Sequence, residues 1–205
     1  MKFISNFIST ILIPLLIPIY LFLILVFYFP LLFNFRDQNE KWMLLTCIIV
    51  FTVLLPFALV YVLFKLKKIS SLSLYKREDR YIPQFFSCCS YIFLTCFFIY
   101  RLGINNIIAL AMLANSISLI AITTITRFWK VSTHSSGSIG LLAILTTIYL
   151  KHPATDFLIP YLVILVLCVG VCFARIYLKA HTVSQVIAGS TLGTVVGVSV
   201  FLFCK

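Results

Sequence analysis

The chain has 205 residues, of which 62% are hydrophobic and 10% charged, and its mean hydropathy is +1.15. A soluble domain carries about 45–50% apolar and roughly 25% charged residues, so the soluble globular, disordered and fibrous classes are excluded and a polytopic membrane protein is left. Lys+Arg is 16 against 5 Asp+Glu, a net charge of +11, but the cations sit at the ends of apolar runs, where they snorkel to anionic lipid heads, and no basic stripe with interleaved aromatics marks a nucleic-acid surface.

A spanning helix needs about 20 mostly apolar residues. In chain order the candidates are Phe7–Phe33, Trp42–Phe64, Gln84–Tyr100, Ile104–Thr126, Gly137–Leu150, Phe157–Ala174 and Val183–Phe203. The first is too long for a signal-peptide core and lacks a small-residue cleavage site, so it reads as a retained span. The third and fifth are short, and Asn105, Asn106, Asn115, Ser116 and Ser118 dilute the fourth. Polar residues at that depth face other helices. The fold class expected is therefore all-α, a transmembrane bundle of six or seven spans, with seven preferred. The first two spans (residues 1–64) precede a core over residues 65–205, with no room for a soluble domain. Gly189, Gly193 and Gly197 share one face of the last span, which suits close packing within the chain better than a dimer face. The 7 cysteines form no CxxC pair, so zinc and redox motifs are excluded and the thiols read as small packing residues.

With seven spans, the loops Lys65–Pro83, Arg127–Ser136 and Arg175–Thr182 share one membrane face with the N-terminus. The first carries Lys76, Arg77, Glu78, Asp79 and Arg80; if it is helical, Lys76 and Arg80 lie four apart on one face and can clamp a phosphate. The second reads Ser132-Thr133-His134-Ser135-Ser136-Gly137, a helix start whose free N–H groups suit an anion. The third runs from Arg175 through His181 to Gln185. There Gln185 can hold the His181 ring in one tautomer or close a capping box with Thr182, and the sequence leaves both open. Two of the 3 histidines fall in these loops; His152, on the opposite face, is given no role.

These residues resemble the type 2 phosphatidic acid phosphatase (PAP2) superfamily of membrane lipid phosphatases. Its signatures are K-x6-R-P, P-S-G-H and S-R-x5-H-x3-D. The third is matched by Ala174-Arg175, His181 and Gln185 at the same spacing, and the second by Ser132 and His134. The first is met only loosely, by Lys76, Arg80 and Pro83, with Ile82 where an Arg belongs. The likeness covers roughly residues 76–197. It implies a phosphatase in which His181 attacks phosphorus and becomes a phosphohistidine, His134 is the general acid, Gln185 orients His181, and Lys76, Arg80, Ser132 and Arg175 cradle the phosphate. It implies a lipid substrate drawn from the bilayer, a phosphatidate-like lipid or a polyprenyl diphosphate. Gln185 stands where the family has Asp; some branches resembling dolichyl- and polyprenyl-diphosphate phosphatases carry Gln there.

Arg suits bidentate phosphate contact, and His suits attack and proton transfer near neutral pH. The loops hold no carboxylate cluster or Cys/His ligand set, so no metal or other cofactor is expected. A catalytically silent relative that binds phospholipid heads is the alternative, and a transporter or structural protein the third reading. Most cations lie on the motif face, which the positive-inside rule assigns to the cytoplasm. Many members of the resembled family present the site on the other side, so the side stays open, as does the oligomeric state.

Overall fold

Residues 2–32, 35, 38–72, 74, 76 and 78–203 are described in a computed structural model. Phe33, Arg36, Arg77, Cys204 and Lys205 lie outside the described residues. The described residues form nine α-helices: α1 Lys2–Ile11, α2 Ile17–Tyr28, α3 Gln38–Ile49, α4 Leu55–Lys65, α5 Tyr81–Leu102, α6 Ile107–Thr126, α7 Thr133–Lys151, α8 Leu158–Tyr177 and α9 Val183–Phe203. No strand occurs among them.

Two pairs act as single passes. Pro14 ends the hydrogen-bond ladder of α1, because it lacks an N–H and holds Ile13 extended at ψ 136°. A 3₁₀ turn, Pro14–Leu16, then leads into α2. A π-helical turn, Val50–Leu54, joins α3 to α4 just before Pro56. Six helical segments are long and apolar enough to cross a bilayer: Lys2–Tyr28, Gln38–Lys65, Glu78–Leu102, Ile107–Thr126, Leu158–Tyr177 and Val183–Leu202. The protein is a multi-pass integral membrane protein.

The expected fifth span is a helix, α7, but stands outside those six. Its first half is Thr-His-Ser-Ser-Gly-Ser, and Ser135, Ser136 and Ser138 are buried. That polarity is sheltered by α9, which runs parallel to it along its length. A Cβ on Gly189 would strike Ser132, one on Gly193 would strike Ser136 and Gly140, and one on Gly197 would meet Gly140 and Ala143. The glycine face of α9 therefore packs inside the chain. At 19 residues, α7 is about 28 Å long at 1.5 Å per residue, matching the hydrocarbon thickness. Six lipid-compatible segments and one sheltered helix thus make up the bundle.

The core at the far end is aromatic. Phe157 is fully buried among Tyr28, Phe29, Tyr149 and Tyr161, with ring centroids 5.0–6.0 Å away. Arg101 pairs with the buried Glu40 at 3.2 Å near that end. Thr95 and Ser116 pair across helices at 2.8 Å, between α5 and α6.

Candidate functional site

His181 is positioned by how α8 ends. Lys179 takes the left-handed conformation (φ 53°), Ala180 N–H donates to the Arg175 carbonyl at 3.1 Å, and Lys179 N–H donates to the Ile176 carbonyl at 2.9 Å. That is a Schellman cap. It turns the chain back so that His181 N–H also donates to the Arg175 carbonyl, at 3.3 Å. The five-residue spacing between Arg175 and His181 is the length of this turn.

Gln185 fills both roles the sequence left open. Its Oε1 lies 3.1 Å from His181 Nδ1 and accepts the Thr182 N–H at 3.3 Å, while Thr182 Oγ1 accepts the Gln185 N–H at 3.4 Å. A backbone N–H can only donate, so the shared amide atom is the oxygen, and His181 Nδ1 must carry the proton. The lone pair is then on Nε2.

The second loop is joined to the third through the main chain. Ser132 N–H donates to the Gln185 carbonyl at 3.2 Å. Ser132 is fully buried, and its Oγ caps α7 by accepting the Ser135 N–H at 3.3 Å. His134 follows on the first turn of α7, half-buried. Arg175, His181 and Arg80 all lie close enough to His134 to act on its charge.

The first loop behaves differently from expectation. Lys76 itself is not helical; the chain makes a 3₁₀ turn at Glu78–Arg80 and enters α5. Asp79 accepts hydrogen bonds from the Ser70 N–H and hydroxyl, which folds the loop back on itself. Lys76 and Arg80 therefore do not share a helix face. Lys76 is exposed and acts on Asp79. Arg80 turns inward, with Nε donating to the Leu74 carbonyl at 2.8 Å, and its charge bears on His134, His181 and Lys130.

Lys130 is the residue the sequence reading missed. Its Nζ donates to the Ala180 carbonyl at 3.1 Å, beside His181. Burial, then Arg80 and Arg175, push its pKa below the usual lysine range. The signal was its position four residues before His134, which no family signature includes. His181 is buried, and its pKa is pushed down to about 4; burial is the main cause, the Gln185 bond opposes it, and Arg175, Lys130 and Arg80 add to it. At neutral pH its imidazole is uncharged.

A cavity of about 330 Å³ opens beside Arg80 and His134 and runs between α4, α5, α6 and α7, past Pro56, Tyr91, Asn115, Leu119 and Ile122. Ligand cavities fall in the range of about 300–1,000 Å³.

Two imidazoles and three cations thus lie at one end of a helical bundle, beside a largely apolar cavity. In sequence, residues 123–205 match the model of the PAP2 superfamily. No curated protein and no solved structure is a significant match to the chain. That match supports a phosphatase-type, lipid-related function. The matched segment contains Lys130, Ser132, His134, Arg175, His181 and Gln185, while Arg80, Lys76 and the first two passes lie outside it.

Proposed function

We propose that the protein is a metal-independent lipid phosphatase that hydrolyses a phosphomonoester or diphosphate through a phosphohistidine. The observation that carries this reading is His181, uncharged and held as the Nδ1–H tautomer within electrostatic range of His134, Arg175, Arg80 and Lys130. Nε2 attacks phosphorus as the bond to the leaving oxygen breaks, and His134 gives that oxygen its proton. Water then attacks the P–N bond, His134 takes the water's proton, and phosphate leaves with Nε2 restored. Arg80, Arg175 and Lys130 offset the charge on the transferring phosphoryl group, the main task in such reactions. Ser132 fixes the turn that carries His134, and Lys76 gathers anionic lipid at the rim. The hydrocarbon chain lies in the cavity toward Leu119 and Ile122.

The test is phosphate release from phosphatidate, phosphatidylglycerophosphate and undecaprenyl diphosphate in detergent with EDTA, comparing wild type with His181→Ala and His134→Ala. Turnover lost in His181→Ala, with radiolabelled phosphate trapped on His181 of the wild type, is the expected result. Gln185 brings no charge to stabilise a cationic phosphohistidine, and that favours one second reading, a silent relative that binds phospholipid heads. Lipid binding without turnover in the wild type would select it.

A further inference from the structure

The cavity beside Arg80 and His134 has a mostly apolar wall, yet polar side chains enter it from α5, α6 and α7. Two of them are bonded within their own helices. Ser87 Oγ donates to the Pro83 carbonyl at 2.8 Å, and Asn115 Nδ2 donates to the Ala111 carbonyl at 2.8 Å. Gln84 and Ser136 differ. Both line the cavity, and Gln84 Oε1 and Ser136 Oγ are buried with no hydrogen-bond partner. Ser136 is 1% exposed. A buried oxygen left unpaired is costly, the more so in an apolar surround. The two residues also share a level. Gln84 stands four residues past Arg80, one turn into α5, and Ser136 two residues past His134 on α7. Both helices begin at the end of the bundle that holds the histidines. Arg80 is the one lysine or arginine among the described residues lining the cavity, so the group met below it is a neutral one.

We propose that Gln84 and Ser136 determine specificity by reading a hydroxyl on the substrate, carried by the carbon next to the phosphorylated one. This rests on the lipid phosphatase reading and narrows its substrate to a phospholipid whose phosphate stands on a glycerol-type backbone with a free hydroxyl. A hydroxyl both donates and accepts, so it suits an amide end and a serine hydroxyl together, whichever way the amide is turned. On the neighbouring carbon it stays within one helical pitch, about 5.4 Å, of phosphorus, which is the offset of Gln84 from Arg80. A polyprenyl or plain alkyl chain offers no such group and would leave both oxygens unpaired. The hydrocarbon chain then continues along Leu119 toward Tyr91. Gln84 lies outside the family-matched segment and Ser136 inside it.

The experiment compares monooleoyl glycerol phosphate with its 2-deoxy analogue, which differs only by the hydroxyl. Apolar burial alone favours the deoxy lipid, so a preference for the hydroxyl has to come from pairing. The ratio of kcat/KM values, hydroxylated over deoxy, should be about five or more in the wild type. Gln84→Leu and Ser136→Ala should each lower that ratio about two- to tenfold, the range of one neutral hydrogen bond. Neither should lower the thermal unfolding temperature in detergent, because each removes a buried group that lacks a partner. If Gln84→Leu does not fold, Ser136→Ala decides the matter. A wild-type ratio near one, or a ratio unchanged in the variants, would overturn the inference and leave the two oxygens to bound water. Should the wild type release phosphate from neither lipid, the phosphatase reading beneath falls instead. The same ratio, taken from the binding of the two lipids to wild type and variants, then decides the role of Gln84 and Ser136.

Discussion

Replacing Gly193 by Ala tests whether the α7–α9 contact holds the site together. In an isolated helix this change is favourable by about 1 kcal/mol. Here the new Cβ would lie against the Ser136 carbonyl oxygen, 2.9 Å from Gly140 N and 3.0 Å from Ser136 C. These neighbours are all backbone and cannot rotate aside. Reaching ordinary contact of about 3.5 Å with that oxygen requires α7 and α9 to separate by more than roughly 1 Å. Overpacking of this kind costs about 1–3 kcal/mol, which outweighs the propensity gain at its upper end. Gly170→Ala is the internal control, since its Cβ would meet only Ile8 Cδ1 at 3.8 Å. Gly197→Ala falls between, with contacts at 3.1–3.3 Å that include the flexible Ile144 side chain. Thermal unfolding of the three variants in detergent should rank Gly170→Ala above Gly197→Ala above Gly193→Ala. Turnover should fall further than stability in Gly193→Ala, because α7 carries His134 and α9 carries Gln185. A Gly193→Ala protein as stable as Gly170→Ala would refute the reasoning.

Gln185→Ala should slow turnover by about 10- to 100-fold without unfolding the protein, since a hydrogen bond to a group that becomes charged is worth about 1.5–3 kcal/mol; an unchanged rate would leave Gln185 only its capping role. Lys130→Ala should raise KM for the phosphorylated lipid and weaken inhibition by inorganic phosphate, with Lys130→Arg restoring part of both; identical phosphate inhibition in wild type and Lys130→Ala would remove Lys130 from the cradle. Unfolded histidine binds its proton near pH 6.5, whereas folded His181 resists down to about 4. The unfolded chain therefore holds more protons in that window, so stability is full above about pH 6.5 and is lost as pH falls toward 4. Denaturation across pH 4–7 should show this slope, and His181→Gln should flatten it; an equal slope in the variant would contradict the assignment.

The membrane class and the helical passes were legible because burial in lipid demands long apolar runs. The α8–α9 turn was legible too, since the spacing from Arg175 to His181 is a length fixed by one cap geometry. The first loop was not, because its shape depends on Asp79 reaching back nine residues to Ser70, a contact with no periodicity. Lys130 escaped for a related reason: it reaches a carbonyl 50 residues away.

The bond from the Ser132 amide to the Gln185 carbonyl has a consequence for how such a protein can change over time. It splices two loops through backbone atoms that every residue except proline supplies in full. Residues around the histidines can then differ from the resembled signatures, as Thr133 and Ala174 do, while the spacing of the two rings is kept. A chain built this way should tolerate motif decay that would ruin a pocket assembled from side chains alone.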